Sequence, residues 1–159
     1  MAEVGRGPRE ILVFALGGQR YALWASQVRE LLRAVAVLPL PRAPRIVEGV
    51  INLRGRIVPV LDIRGRFGLP PKPIEPSDHL IVAAVGARLV AIRADRALDL
   101  VGVDLGAVSL DRLESGGAYV AGVARLPGGL AVIHDLDTFL DGDESAVLDD
   151  ALAAAGAPA

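Results

Sequence analysis

The feature that most constrains this chain is an internal duplication. Residues 11–32, ILVFALGGQRYALWASQVRELL, lie over residues 80–101, LIVAAVGARLVAIRADRALDLV, without a gap. Val13/Val82, Ala15/Ala84, Gly17/Gly86, Ala22/Ala91, Ala25/Ala94 and Leu31/Leu100 are identical, and most other apolar positions stay apolar. Four residues of slippage later, VEGVINLRGRIVPVLDIRGRF (47–67) lies over VAGVARLPGGLAVIHDLDTFL (120–140). Here Val47/Val120, Gly49/Gly122, Val50/Val123, Leu53/Leu126, Gly55/Gly128 and Asp62/Asp135 coincide. A chain that repeats itself over about 70 residues folds as two copies of one small unit.

Each copy reads as short strands. Residues 11–16 and 20–24 are β-rich runs joined by Gly17-Gly18, with 79–85 and 88–93 as their counterparts across Gly86-Ala87, a tight-hairpin signal. Residues 47–53 and 56–61 flank a turn at Arg54-Gly55, and further strands are predicted near 33–38 and 97–103. Many short strands at close spacing predict a small closed barrel in each repeat, because closure removes exposed edges. Pro59 predicts that the 56–61 strand lies at an edge or bulge. Leu38-Pro-Leu-Pro-Arg-Ala-Pro44 predicts a stiff extended connector, and Pro70, Pro71, Pro73 and Pro76 mark the boundary between repeats. A single helix is predicted over 143–156, capped by Asp143 or Ser145, with Val147, Leu148, Ala151, Leu152 and Ala155 on one face and Gly156 and Pro158 ending it.

Composition narrows the function classes. Hydrophobic residues make up 52% of the 159 and aromatics 4%, so the core is aliphatic and offers few platforms for stacking bases or sugars. Without cysteine there is no disulfide, thiolate nucleophile or Cys-based metal site, and a cytoplasmic setting is expected. Residues 1–10 carry no apolar run, so neither a signal peptide nor a spanning helix is expected. The net charge of −2 is unevenly spread: residues 1–74 hold twelve basic and five acidic side chains, residues 75–159 five and fourteen. That polarity would orient the molecule against charged partners, unless the two halves are simply solvated faces.

Candidate chemistry is thin. His134-Asp135 resembles a base with its orienting carboxylate, but the repeat sets His134 over Leu61 and Asp135 over Asp62, which makes the Asp a turn residue and the His a filler of an apolar slot. His79 has no partner at metal-ligand spacing, so no metal is expected. No serine stands in a nucleophile elbow, and Gly17-Gly18, Gly116-Gly117 and Gly128-Gly129 read as turns rather than phosphate loops. The carboxylates of 135–150 lack the alternation of a calcium loop. No catalytic residue and no cofactor is therefore expected. Arg42, Arg45, Arg54, Arg56, Arg64 and Arg66 form a cluster that, on a small barrel, supports the alternative of nucleic-acid binding. Phe67 is its only aromatic, Lys72 is the only lysine, and the total charge is negative.

The stretch VEGVINLRGRIVPVLDIRGRFG (47–68) resembles the signature of the CheW family of chemotaxis coupling proteins. FALGGQRYAL (14–23), the helix-like step ASQVREL after it and the PLPRAP connector extend the resemblance over nearly the whole chain. It implies a mostly β fold of two SH3-like five-stranded β-barrels in tandem with a C-terminal helix. The single domain of 1–159 would hold barrel repeats at 10–69 and 79–141 and the helix at 143–156, with strands exchanged between the barrels as an option. It also implies a noncatalytic adaptor between the cytoplasmic tip of a methyl-accepting chemoreceptor and the regulatory domain of a CheA-type histidine kinase. Such an adaptor is cytoplasmic, recruited to membrane-associated receptor arrays without inserting into the membrane. The implied receptor-binding residues are Val28, Glu30, Gly49, Asn52, Leu53, Arg54 and Gly55; the resemblance names no kinase-facing residue. The second repeat departs there, with Arg125 opposite Asn52 and Pro127 opposite Arg54, which suggests that the first repeat's turn meets receptor and a barrel end built largely by the second meets kinase.

Overall fold

A computed structural model describes residues 9–33, 36–103, 108–109 and 120–156; Gly116-Gly117, Pro158 and residues 1–8 lie outside them. The chain is mostly β. Its strands run β1 (Arg9–Leu16), β2 (Gln19–Trp24), β3 (Val28–Arg33), β4 (Val47–Leu53), β5 (Arg56–Leu61), β6 (His79–Val85), β7 (Arg88–Ala94), β8 (Arg96–Val103), β9 (Val108–Ser109), β10 (Val120–Leu126) and β11 (Gly129–His134), followed by α1 (Gly142–Ala154).

They form two sheets, ordered β3-β6-β7-β5-β4 and β8-β1-β2-β11-β10-β9. Replacing each strand of the first by its repeat counterpart reproduces the second, with the two-residue β9 added. Even the register transfers: Val60 stands opposite Ala91 in the parallel β5–β7 pair, and Ile133 opposite Ala22 in the parallel β11–β2 pair. The sheets therefore do not follow the repeat boundaries. The opening hairpin of each repeat pairs with the closing hairpin of the other, and β3 and β8 cross over to the edge of the opposite hairpin.

This exchange explains why β1 and β6 lack a polar face. Successive side chains of a strand point to opposite faces. In β1, Ile11 and Val13 enter one barrel interior with Ala22, Ala131 and Ile133, while Leu12, Phe14 and Leu16 face a central core. In β6, Leu80 and Val82 enter the other interior with Ile51, Val58 and Val60, while Ile81 and Ala83 face the same central core. Burial on both faces reads in sequence as a continuous apolar run.

Several predicted elements shift. The helix-like step is only a 3-10 turn, Ala25–Gln27. The strand expected near 33–38 lies earlier, at Val28–Arg33, where it pairs with β6; beyond it the connector makes one bridge, Leu38 to Val50. β5 is an interior strand, not an edge. Pro59 is accommodated because pairing with β7 covers only Val60 and Leu61. The helix is capped by Asp141, whose side chain accepts from the Glu144 N–H at 2.7 Å while Glu144 accepts from the Asp141 N–H at 3.1 Å. Neither Asp143 nor Ser145 has a Glu or Gln three residues on to complete that reciprocal pair. Leu148 and Ala151 are the buried face of α1, and Val147 is exposed. Arg66 ties the helix down through Glu144 at 2.5 Å and the Phe139 carbonyl at 3.0 Å, as does the Arg88–Asp149 pair.

The repeated Asp62 and Asp135 do one job. Each opens a 3-10 turn by accepting the N–H two residues ahead, from Arg64 at 3.1 Å and Asp137 at 3.0 Å. His134 is buried in an aromatic cluster, its ring 4.3 Å from Phe67 and 4.9 Å from Tyr21 between centroids. His79 accepts the Ala97 N–H at 2.7 Å.

One buried cation has no counterpart in the other repeat, where Trp24 takes its place. Arg93, 3% exposed, donates to Glu48 at 2.8 Å, Asp62 at 3.1 Å, Asp78 at 3.3 Å and the Lys72 carbonyl at 2.7 Å. It thus joins β4, β7, the 3-10 turn after β5 and the inter-repeat connector. Burial pushes the Glu48 carboxyl above its usual range, and the neighbouring carboxylates of Asp62 and Asp78 add to this against the pull of Arg93. Next to this hub, burial also raises Asp95, but the Gly17 N–H at 2.9 Å, Arg64 at 2.5 Å and Lys72 outweigh it and hold Asp95 below the ordinary carboxylate range.

Arg93→Ala should cost about 3–5 kcal/mol in urea unfolding, the penalty for stranding buried carboxylates; a loss under about 1 kcal/mol would show that the connector is held by packing alone. Asp95 has a folded pKa below its unfolded one, so its contribution is present above about pH 4 and lost as pH falls through the folded value. Asp95→Asn should therefore be less stable than wild type at pH 7, with the gap closing in acid; an equal gap at pH 3 and pH 7 would assign the effect to shape. Glu48 has the opposite sign: its ionisation opposes folding, so Glu48→Gln should gain relative stability as pH rises from 4 to 7.

Candidate functional site

Asn52, Leu53, Arg54 and Gly55 close the β4–β5 hairpin. Leu53 pairs with Arg56, leaving Arg54-Gly55 as a two-residue loop with φ of 52° and 84°. Two positive φ values give the turn that matches the twist of the flanking strands. Gly55 adopts this conformation freely, Arg54 only under constraint. Part of that constraint is Asn52, whose Oδ1 accepts the Gly55 N–H at 2.7 Å. In the second repeat Pro127 cannot take a positive φ, and the Pro127-Gly128 loop instead packs beside the Arg20 guanidinium.

Arg54 reaches across to β3. Its guanidinium donates to both carboxylate oxygens of Glu30, at 2.5 and 3.2 Å. The hydrogen bond from Arg54 holds the Glu30 carboxyl below its ordinary range. Residues 24 apart in the chain, each singled out on the sequence, thus meet in a bidentate pair. The pair ties the β4–β5 turn to β3, and the Leu38–Val50 bridge lays the connector after β3 along β4.

Gly49 has a different place. It is buried, in a register shift of β4 against β5, and a methyl group there would overlap the Leu38 carbonyl oxygen and come within 2.8 Å of Val37. It presents nothing to solvent and instead lets the proline-rich connector lie flat on β4.

Val28 is half-buried against the central core and also lines a groove of about 370 Å³, with Leu12, Glu30, Leu31 and Leu100 among its walls. The groove runs where β1 and β8 of one sheet meet β3 of the other. Leu31 and Leu100 are 48% and 53% exposed. They are equivalent positions of the two repeats, brought into one groove by the strand exchange. Two half-exposed leucines in one concavity form a patch that water solvates poorly. The sequence reading missed Leu12, Leu31 and Leu100. The available signal was that Leu31 lies in phase with exposed Arg29 and Arg33, an apolar residue on a polar face. Reading 25–31 as helix-like hid that alternation.

The arginine cluster does not form one patch. Arg64 is buried on Asp95, Arg66 is tied to Glu144, and Arg54 to Glu30. Arg42, Arg45 and Arg56 are exposed. Among the described residues, no group of three or more His, Cys, Asp or Glu side chains could hold a metal ion, and no helix is long and apolar enough to cross a membrane.

Residues 10–144 match the family model for the CheW-like domain. The chain is 31% identical over 143 residues to the chemotaxis protein CheW of Rhizobium meliloti (strain 1021), covering 87% of this chain and 91% of that one. It is 33% identical over 100 residues to protein FrzA of Myxococcus xanthus, covering 63% of this chain and 62% of that one. The scaffolding protein TtCheW from Thermoanaerobacter tengcongensis has a similar structure, with a TM-score of 0.79, 25% identity, and coverage of 86% of this chain and 95% of that one. A duplicated pair of SH3-like barrels, the N-L-R-G turn and these matches lead to one conclusion: the chain belongs to the CheW-like domain family of chemotaxis scaffold proteins.

Proposed function

We propose that this protein is a noncatalytic adaptor that couples the cytoplasmic tip of a chemoreceptor to the regulatory domain of a CheA-type histidine kinase, in the cytoplasm at a membrane-associated receptor array. The observation that carries the reading is the groove beside the Arg54–Glu30 pair. Val28 and Glu30, two of the residues that the family resemblance implies, line it beside an exposed apolar floor, and Glu30 ties it to Arg54.

In this reading the receptor tip, a helical hairpin, lays an apolar stripe on Leu31, Leu100 and the exposed part of Val28, as amphipathic helices do in hydrophobic grooves. Glu30 and Arg54 set the polar border and fix register, while Asn52, Leu53 and Gly55 hold the turn that presents Arg54. Gly49 acts from beneath, by fixing the connector and hence the seam that Arg54 spans. The kinase takes a different surface.

Binding should be measured by calorimetry with a receptor cytoplasmic fragment and a kinase regulatory domain from the same organism. Arg54→Ala should weaken receptor binding about tenfold or more with little change in melting temperature, since an exposed ion pair contributes little to folding. If it instead melts much earlier, Arg54 is a folding residue. Gly55→Val has room for its side chain but must hold a β-branched residue at φ 84°; about 1–3 kcal/mol of strain should lower stability and receptor binding together. If the wild type binds neither protein, the adaptor reading is wrong.

A further inference from the structure

Pairing of β5 with β7 begins only at Val60, just after a proline that has no N–H to offer a ladder. The earlier residues of β5 and the first residues of β7 instead border a cavity of about 790 Å³, with α1 as a further wall. Its apolar lining includes Ile57, Leu89 and Leu152, and its charged lining is Arg54, Arg56, Arg88 and Asp149. The volume is that of a small-molecule pocket, and the charge balance is three cations to one carboxylate.

The duplication supplies an internal comparison. Arg54, Arg56 and Arg88 superpose on Pro127, Gly129 and Gln19 of the equivalent hairpins, so the barrel fold itself calls for none of the three arginines. Nor does the fold use up their donors. Arg54 gives one N–H from each terminal nitrogen to Glu30, and Arg88 gives one to Asp149, out of five on each guanidinium. Arg56 is exposed and has no ion pair among the described residues.

We propose that the cavity binds a small, soluble phosphate monoester with an aliphatic body. Three cations less one carboxylate leave the lining two positive charges in excess, the charge of a phosphate dianion. The three terminal oxygens of a monoester can accept from Arg54, Arg56 and Arg88 together, and the planar guanidinium fork suits phosphate geometry. The body of the ligand fills the space between Ile57, Leu89 and Leu152. Among the described residues no aromatic ring lines the cavity, so it offers a nucleobase no stacking platform and an alkyl chain a matching wall. Glu30 keeps its pair with Arg54 throughout, because the phosphate takes guanidinium N–H groups that Glu30 leaves free. Occupancy therefore leaves the groove undisturbed, and the site goes beyond the adaptor reading without depending on it.

The test titrates hexyl phosphate, inorganic phosphate and hexanoate by calorimetry into the full chain as wild type, Arg56→Gln and Arg45→Gln; Arg45 is an exposed arginine outside the cavity. Hexyl phosphate should bind wild type about tenfold or more tightly than either other probe, lose about tenfold in Arg56→Gln and keep its affinity in Arg45→Gln. Its affinity should also fall between about pH 7.5 and about pH 5.5, where a phosphate monoester gives up its second charge. Absence of binding overturns the proposal. So does equal weakening by the two substitutions, which would reduce the effect to overall charge, or hexanoate binding as tightly as hexyl phosphate. Co-sedimentation with vesicles of phosphatidic acid in phosphatidylcholine, without binding of soluble hexyl phosphate, would overturn it in favour of a membrane surface. None of these outcomes touches the adaptor reading, which the receptor and kinase titrations decide.

Discussion

Everything in this molecule hangs on the pairing of each opening hairpin with the closing hairpin of the other repeat. The parallel contacts are short, Val60–Leu61 on Ala91–Ile92 and Val132–Ile133 on Tyr21–Ala22, yet they decide which residues share a core. Once β1 and β6 sit in exchanged sheets, each buries both faces, and the two barrels meet on a dry layer containing Phe14, Leu16, Ile81 and Ala83. Neither repeat can reach this arrangement alone, because the inner strands of each barrel come from both.

The polar interior answers a problem that the exchange creates. A connector of nine residues, 70–78, with four prolines from Pro70 to Pro76, must return the chain to start the second repeat, and it offers few backbone donors to a sheet. Arg93 holds it by the Lys72 carbonyl and Asp78 while binding Glu48 and Asp62 of the barrel. The arrangement has a cost: burial, with repulsion from Asp62 and Asp78 added, pushes the Glu48 carboxyl above its usual range despite Arg93. The site sits across the same sheet, where the Arg54–Glu30 pair ties the β4–β5 turn to β3 and a backbone bridge holds the connector on β4.

The duplication explains why the two ends of the molecule are not alike. Core positions and the turn-opening Asp62 and Asp135 are kept, because both barrels need the same interior and the same 3-10 turns. The solvent-facing turn is free to differ. A positive-φ Arg in one copy becomes a proline in the other, and Glu30 becomes Asp99, whose carboxylate accepts the Leu100 N–H at 2.8 Å. Arg93 likewise stands where the first repeat has Trp24, whose ring takes Arg9 at 3.9 Å.

Much of this was legible in residues alone. The repeat, the hairpins at Gly17-Gly18 and Arg54-Gly55, the mostly β class, the terminal helix and the N-L-R-G turn all follow from local rules of turn chemistry, alternation and self-similarity. Which hairpin pairs with which was not legible. The two repeats offer nearly identical apolar strands, so local sequence permits both the separate and the exchanged arrangement, and only the summed burial of the whole chain chooses. The same holds for the site. Sequence supplied Glu30 and Arg54 as charges of opposite sign and a glycine, Gly55, that permits the turn. Only tertiary structure decided that they meet, that Leu31 and Leu100 line one groove, and that Gly49 lies under the connector, because contacts between distant residues are set by packing rather than by any residue's own preference.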